Sequence, residues 1–372
     1  MNKHRKHSDY LLSLAVFALI AFGLIMIYSV SKYYSLEVTD GATDKYYLKH
    51  QFYMICIGLV AWIATQSIDY HFWQKNASWM FFATIGLILL PVVLTPLGLA
   101  HEYRWISLGF NFQPAELAKL TFIFYLAGLF SKQGENLKNI AKSFYPFLIA
   151  IGIIAVLMAL QKDLGTLAVI ILISAGMFLV SGAPFIQLIA SLGIGTFGVW
   201  LLIKIEPYRM QRILTFLNPD ASSTGAGYHI KNALIAIGSG GLWGLGFGQS
   251  KQKYLYLPEA HTDSIFAIIC EELGALRSAL VIVVFCFIAY RGLRIARNAP
   301  DIFGRLVAIG VTVWIFSQMA INIAAMFAIV PLTGIPLPFI SYGGTSIIIL
   351  LAAVGVLTNI SKYQMTNQNK KW

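Results

Sequence analysis

Residues Gly238–Gly274, GSGGLWGLGFGQSKQKYLYLPEAHTDSIFAIICEELG, join a glycine-dense run to a basic Gln-Ser-Lys-Gln-Lys turn. Three ionisable residues, Glu259, His261 and Asp263, follow directly before an apolar helix. Outside this stretch the chain is largely lipid-soluble: 58% of residues are hydrophobic and 12% charged, where soluble domains carry roughly a quarter charged. Charged, flexible backbone at a membrane edge costs free energy and serves a ligand, an ion or a reaction. The competing reading is an ordinary exposed loop, polar by default.

Working outward, apolar windows fall near 10–31, 50–68, 78–98, 115–131, 144–161, 166–182, 187–204, 264–290, 303–330 and 344–361. A span needs about 20 apolar residues. The expected fold is therefore an all-α polytopic membrane protein of about ten transmembrane helices, one integral domain over 1–372. A large outer loop, about 205–263, separates helices seven and eight. The apolar run after MNKHRKHSDY is too long for a signal sequence and has no small-x-small cleavage site, so it is kept as the first span.

The net charge of +11 comes from basic residues on short loops and both tails, which argues topology rather than nucleic-acid binding. Lys3, Arg5, Lys6, Lys75, Lys132, Lys138, Lys142, Arg291, Arg294, Arg297, Lys362, Lys370 and Lys371 fall on alternate connections. That pattern predicts cytoplasmic tails at 1–9 and 362–372. Cys56, Cys270 and Cys286 lie in apolar segments without pairing or metal spacing and are expected as small core residues.

The outer loop breaks the charge pattern with Lys204, Arg209, Arg212, Lys231, Lys251 and Lys253. Its Asn232–Gly248 segment is too short and glycine-rich to span, and fits a re-entrant or interface-lying element. On the fourth span, Glu116 and Lys119 share a face and suit an ion pair that holds helices in register. Arg104, before that span, is an interface anchor or an arm over a headgroup. Asp163 is either a helix N-cap or a second acidic group facing the outer cavity. The Pro331–Ser346 stretch, PLTGIPLPFISYGGTS, breaks any helix at membrane depth and reads as a cavity wall, with Gln318 and Asn322 placed to hydrogen-bond its backbone.

Six segments then suggest a family: RWISLGFNFQPAELAKL (104–120), QKDLGT (161–166), PYRMQRILTFLNPD (207–220), IAIGSGG (235–241), QKYLYLPEAHTDSIFAIICEELG (252–274) and PLPFISYGGTS (336–346). In order and spacing they closely resemble the SEDS family (shape, elongation, division and sporulation). LPEAHTDSIFA and YSVS look more like its division branch, FtsW, than its elongation branch, RodA. Lys162, His229, Asn232 and the run Ala275–Arg277 depart from the family pattern. Arg277, about thirteen residues into the eighth span, is expected some 20 Å deep, where it needs a carboxylate or a wet cavity.

The resemblance implies a peptidoglycan glycosyltransferase that polymerises lipid II on the outer face of the bacterial cytoplasmic membrane. It implies a class B penicillin-binding protein as partner, within the divisome or elongasome, and Asp263 of the HTD motif as the acidic residue proposed as the catalytic group. For that chemistry Asp263 is the candidate base toward the acceptor hydroxyl. Arg209, Arg212, Lys251 and Lys253 are candidate clamps for the departing diphosphate. Glu259, His261, Arg104, Asp163, Ser341 and Tyr342 complete the expected substrate contacts. A divalent cation bridging the diphosphate is chemically reasonable, with no protein ligand set standing out. The competing class is a lipid-linked precursor flippase, supported by broken helices and intramembrane charge but not by polar groups gathered on one face.

Overall fold

A computed structural model describes residues 8–96, 103–107, 111–133, 144–205, 207–217 and 225–363. The chain runs α1 (Tyr10–Val30), α2 (Lys32–Val38), α3 (Tyr46–Ser67), α4 (His71–Leu94), α5 (Pro114–Gln133), α6 (Tyr145–Leu160), α7 (Leu164–Ser181) and α8 (Phe185–Ile205). Then come α9 (Pro207–Leu217), α10 (Ala226–Gly240), α11 (Ile265–Arg297), α12 (Ile302–Met326) and α13 (Gly344–Ser361). Two residue pairs, Ile106–Ser107 and Asn111–Phe112, form a short antiparallel ladder before α5.

Each of the ten apolar windows corresponds to one helix, and seven of those helices are long and apolar enough to cross a membrane unaided. The other three, α5, α6 and α8, carry intramembrane charge, are short, or carry a lysine near the end. Large apolar side chains such as Trp79, Phe82, Leu90 and Val93 of α4 point outward. Water would penalise that face, whereas acyl chains solvate it.

The most enclosed helix is α13, buried along nearly its whole length. It packs on α3 where Gly355 lets the backbones meet: a Cβ there would stand 2.0 Å from Thr65 Oγ1. Thr65 donates instead to Ala352 O at 2.9 Å, a hydrogen bond between helices at a small-residue contact. At the opposite end from the HTD motif, Asp9 caps α1 by accepting from Leu12 N and takes a two-point contact from Arg291 of α11, at 3.0 and 2.6 Å.

Two expectations need correction. Cys56 and Cys286 face outward and only Cys270 is buried, because apolar windows do not tell a lipid-facing position from a core one. Arg277 is exposed and donates to Trp243 O at 3.3 Å. Gly274, at φ 81° and ψ 169°, breaks α11 just before it. The part after the break, residues 275–297, is about 34 Å long and spans alone, which puts Arg277 at its end instead of 20 Å deep.

Candidate active site

The break at Gly274 organises the HTD region. Ala275 N and Leu276 N, which a continuous helix would bond to Glu271 and Glu272, donate to Gly241 O (2.9 Å) and Leu242 O (3.3 Å). The orphaned Glu271 and Glu272 carbonyls accept from Leu245 N (2.9 Å) and Gly246 N (3.0 Å). The glycine-rich run thus completes the broken helix. Side chains would forbid it: a Cβ on Gly274 would lie 2.3 Å from Gly244 N. Of the two uses the glycines could have, phosphate approach or tight backbone passage, the structure displays the second.

The side chains of the same two glutamates hold the basic turn from inside. Glu271 accepts from Ser250 Oγ, Lys251 N (2.9 Å) and Gln252 N (3.4 Å). Glu272 accepts from Ser29 Oγ (3.0 Å) and pairs with Lys253 Nζ at 2.9 Å. Lys253 is 4% exposed and also donates to Gly248 O (2.7 Å), so it is a buried counterion and not a diphosphate clamp. Lys251 keeps its side chain exposed. Neither glutamate stood out in the sequence, although EELG sits within reach of the turn.

The chain then climbs to the HTD motif. Tyr34 OH donates to Leu257 O (2.7 Å), and Glu259, in the left-handed region at φ 50°, accepts from Thr262 N and Ser264 N at 3.1 and 3.2 Å. The exposed Glu259 carboxylate takes the Thr262 hydroxyl at 2.8 Å. His261 is buried among the rings of Tyr34, Tyr47 and Tyr342, at centroid distances of 4.9, 4.4 and 5.6 Å. Burial pushes its pKa down to about 4, so it is a neutral wall behind the motif.

Asp263 is 9% exposed. Burial, then the charge of Glu259, pushes its pKa up to about 7. Its carboxylate accepts only weakly, from the hydroxyls of Thr262 (3.5 Å) and Ser264 (3.4 Å). The N-cap of α11 is Ser264, without a side-chain cap bond, so Asp263 is not the cap of that helix.

Its backbone is pinned by α12. Asn322 Nδ2 donates to both Asp263 O (2.7 Å) and Ile335 O (2.8 Å), while Gln318 Nε2 donates to Pro336 O (2.9 Å). These two amides bond the broken 331–343 stretch as the sequence suggested and tie it to the HTD motif. Tyr342 N donates to His261 O (2.9 Å), and the Tyr342 hydroxyl meets His50 Nδ1 at 2.9 Å. Ser341 is a correction: it is buried and its hydroxyl accepts from Leu337 N (2.8 Å), bracing a turn instead of meeting a substrate.

Arg212, exposed on α9, donates to Leu332 O at 3.2 Å. Two residues further on, a Cβ on Gly334 would come 3.9 Å from Asp263 Oδ2, so Arg212 lies on the stretch that Asp263 faces. The side chain of Arg209 is outside the described residues, as are the basic loop at 134–143 and the tails at 1–7 and 364–372.

Arg104 donates from Nε to Gln161 O (2.7 Å) and from Nη2 to Lys162 O, which corrects its reading as a headgroup arm: it caps the end of α6. Asp163 is buried and caps α7 through Thr166 N (3.0 Å), with Gln113 Nε2 at 3.2 Å on its other oxygen. Glu116 and Lys119 pair at 2.7 Å with Lys119 only 1% exposed, and Lys119 also donates to Gln318 Oε1 (3.1 Å). Among the described residues no three His, Cys, Asp or Glu side chains gather as a metal cage, so a divalent cation has no ligand set of its own there.

A protein-family model described as "Cell cycle protein" (FtsW, RodA, SpoVE) matches residues 10–366. The chain belongs to this family, the SEDS proteins. It is 38% identical to stage V sporulation protein E of Bacillus subtilis over 98% of this chain and 99% of that protein. It is likewise 38% identical to the probable peptidoglycan glycosyltransferase FtsW of Trichlorobacter lovleyi, covering 95% of this chain and 93% of that one. Its fold matches a chain from a study of polymerization and crosslinking by a peptidoglycan synthase complex, with a TM-score of 0.76 at 22% identity over 95% of this chain and 97% of that one. It also matches the RodA crystal structure of Thermus thermophilus, with a TM-score of 0.70 at 23% identity over 97% and 98%. The SEDS fold thus carries the HTD motif at the start of α11, with Gly274 and α12 fixing it from either side.

Proposed function

We propose that this SEDS protein polymerises lipid II into glycan strands, with Asp263 as the base. The enzyme class, peptidoglycan glycosyltransferase, is that of relatives matched over nearly the whole chain. The observation that carries the chemistry is a buried, backbone-pinned carboxylate whose pKa stands near 7. Such a group is ionised in part at neutral pH and binds a proton well enough to take one. Asp263 removes the proton of the acceptor sugar hydroxyl as that oxygen attacks the donor's anomeric carbon. The bond from that carbon to the diphosphate breaks, and the diphosphate leaves as an anion toward Arg212, Lys251 and Arg209.

The proposed setting is the bacterial cytoplasmic membrane, with both termini cytoplasmic and the HTD region on the outer face, a reading that the alternating basic loops support. A class B penicillin-binding protein is the proposed partner, in keeping with the synthase complex among the structural neighbours. FtsW relatives favour septal synthesis; the equal identity to a sporulation protein makes wall synthesis during sporulation the second reading. The test is polymerisation of purified lipid II by the purified protein, alone and with its transpeptidase. Failure of Asp263→Asn alone to polymerise supports the reading, and a near-native rate in that variant refutes it.

A further inference from the structure

His229 stands on α10, and the sequence assigns it no role. In the structure its Nε2 is in close contact with Ser264 Oγ, the residue next to Asp263. Ser264 Oγ has two further polar neighbours, Pro258 O at 3.0 Å and Asp263 Oδ1 at 3.4 Å. A hydroxyl carries one proton and two lone pairs. Pro258 O and an ionised Asp263 can only accept. If His229 also accepted, three acceptors would converge on one proton. If it donates, its N–H fills a lone pair and the Ser264 proton serves one of the two oxygens. The contacts therefore select a neutral imidazole protonated on Nε2, and burial supports this by pushing the His229 pKa down to about 4.

We infer that His229 is a positioning residue for Asp263: its Nε2–H orients the Ser264 hydroxyl, which donates to the ionised carboxylate before proton transfer and to the Pro258 carbonyl after it. The inference rests on the reading of Asp263 as the base. The Ser264 proton is a rotor between two acceptors; no bond to it breaks, and the transferred proton stays on Asp263. A donor already accepting from an N–H is a stronger donor, so the effect of His229 reaches the carboxylate without contact.

Among the described residues, the charged groups around this chain are Glu259, on the same loop and raising both Asp263 and His229, and Arg212 of α9, which adds to burial in lowering His229. Packed from other sides are neutral groups: the Asn322 amide of α12, the buried His261 ring and Gly334. Glu259 and Arg212 remain in place in every variant used below, so a shift between variants reports the His229 and Ser264 contacts.

The experiment measures the pH dependence of lipid II polymerisation by the full chain with its transpeptidase, for wild type, His229→Leu, His229→Gln and Ser264→Ala. A hydrogen bond to the charged form of a carboxylate holds its pKa down. Losing it in His229→Leu or Ser264→Ala moves the acidic limb up by about one pH unit, roughly a tenfold loss of rate below the limb. His229→Gln, whose amide still donates, restores the limb, and combining His229→Leu with Ser264→Ala adds nothing to either change. A limb that stays put in folded His229→Leu, or a Gln variant indistinguishable from Leu, overturns the inference. If His229→Leu does not fold, the ¹⁵N solid-state NMR spectrum of the wild type decides it: a proton on Nε2 supports the inference and a proton on Nδ1 defeats it. An active Asp263→Asn removes the base reading itself, whereas an inactive Asp263→Asn beside an unmoved limb in His229→Leu removes the role of His229 alone.

Discussion

Asp263→Asn separates a functional carboxylate from a structural one by moving stability and activity in opposite directions. Burial and the neighbouring Glu259 raise the Asp263 pKa from 3.8 to about 7. That difference is roughly 3 units, and at 1.36 kcal/mol per unit the ionised side chain costs the folded protein on the order of 4 kcal/mol. The folded pKa lies above the unfolded one, so the cost is absent below about pH 4, where both states are protonated. It grows as pH rises toward 7 and is complete above it. Asparagine cannot ionise and keeps the shape. Thermal unfolding of purified protein should therefore show Asp263→Asn matching wild type near pH 3 and exceeding it at pH 8. The same variant should polymerise lipid II at least about a hundredfold more slowly, the contribution expected of a positioned base. A residue kept for structure would behave otherwise. Loss of stability at pH 8 would show that the carboxylate holds the fold together, and near-native polymerisation would remove it from the chemistry.

Glu259→Gln removes an anion beside Asp263 and should move the acidic limb of the polymerisation profile to lower pH by about half a unit or more, read from rates between pH 5 and 8. Lys253→Met leaves Glu272 buried without its counterion and should cost about 3–5 kcal/mol in unfolding experiments. Lys251→Met, with its side chain exposed, should leave stability within about 0.5 kcal/mol and weaken donor use roughly tenfold, measured as the lipid II concentration needed for half-maximal rate. Reversal of the pair as Glu116→Lys with Lys119→Glu should recover only part of what either single change loses, scored by thermal stability. Lys119 also donates to Gln318 and lies 5.0 Å over the Trp314 ring, whose face repels a carboxylate.

The ten apolar windows are legible because lipid asks about 20 apolar residues of a spanning helix; seven of the helices they mark meet that rule and three fall short of it. Gln318 and Asn322 are legible for a related reason: two amides four residues apart on an apolar helix need carbonyls, and the Pro-rich stretch that follows has carbonyls without helical partners. Lys253 is not legible. A lysine in a polar turn looks like its neighbour Lys251, and only the fold brings Glu272 under one and leaves the other outside. Arg277 is misplaced by sequence because EELGALRSAL has helical composition throughout, and a single glycine at positive φ carries no signal until another backbone is seen passing beside it. His229 and Ser264 are missed for want of distance information, since 35 residues separate them along the chain.

The break at Gly274 gives α11 two mechanical halves. The half before it is buried, begins at Ser264 and is tied to α12 through Asn322, to α10 through His229 and to the 331–343 stretch through Tyr342. The half after it presents Leu276, Leu280, Val283 and Phe287 outward. Asp263 is therefore referenced to the bundle interior and not to the lipid-facing half of the helix that follows it. Proton abstraction rewards that arrangement, because a misplacement of about 1 Å between base and hydroxyl can cost a hundredfold in rate. The cationic side is built differently: Arg212 and Lys251 are both exposed, on α9 and on a turn that the Glu271 carboxylate holds from beneath. A diphosphate has several equivalent oxygens and accepts a cation from many directions, so it tolerates a looser clamp. The proposed base needs one position, and the fold pins the backbone around it from α12 and from the 331–343 stretch.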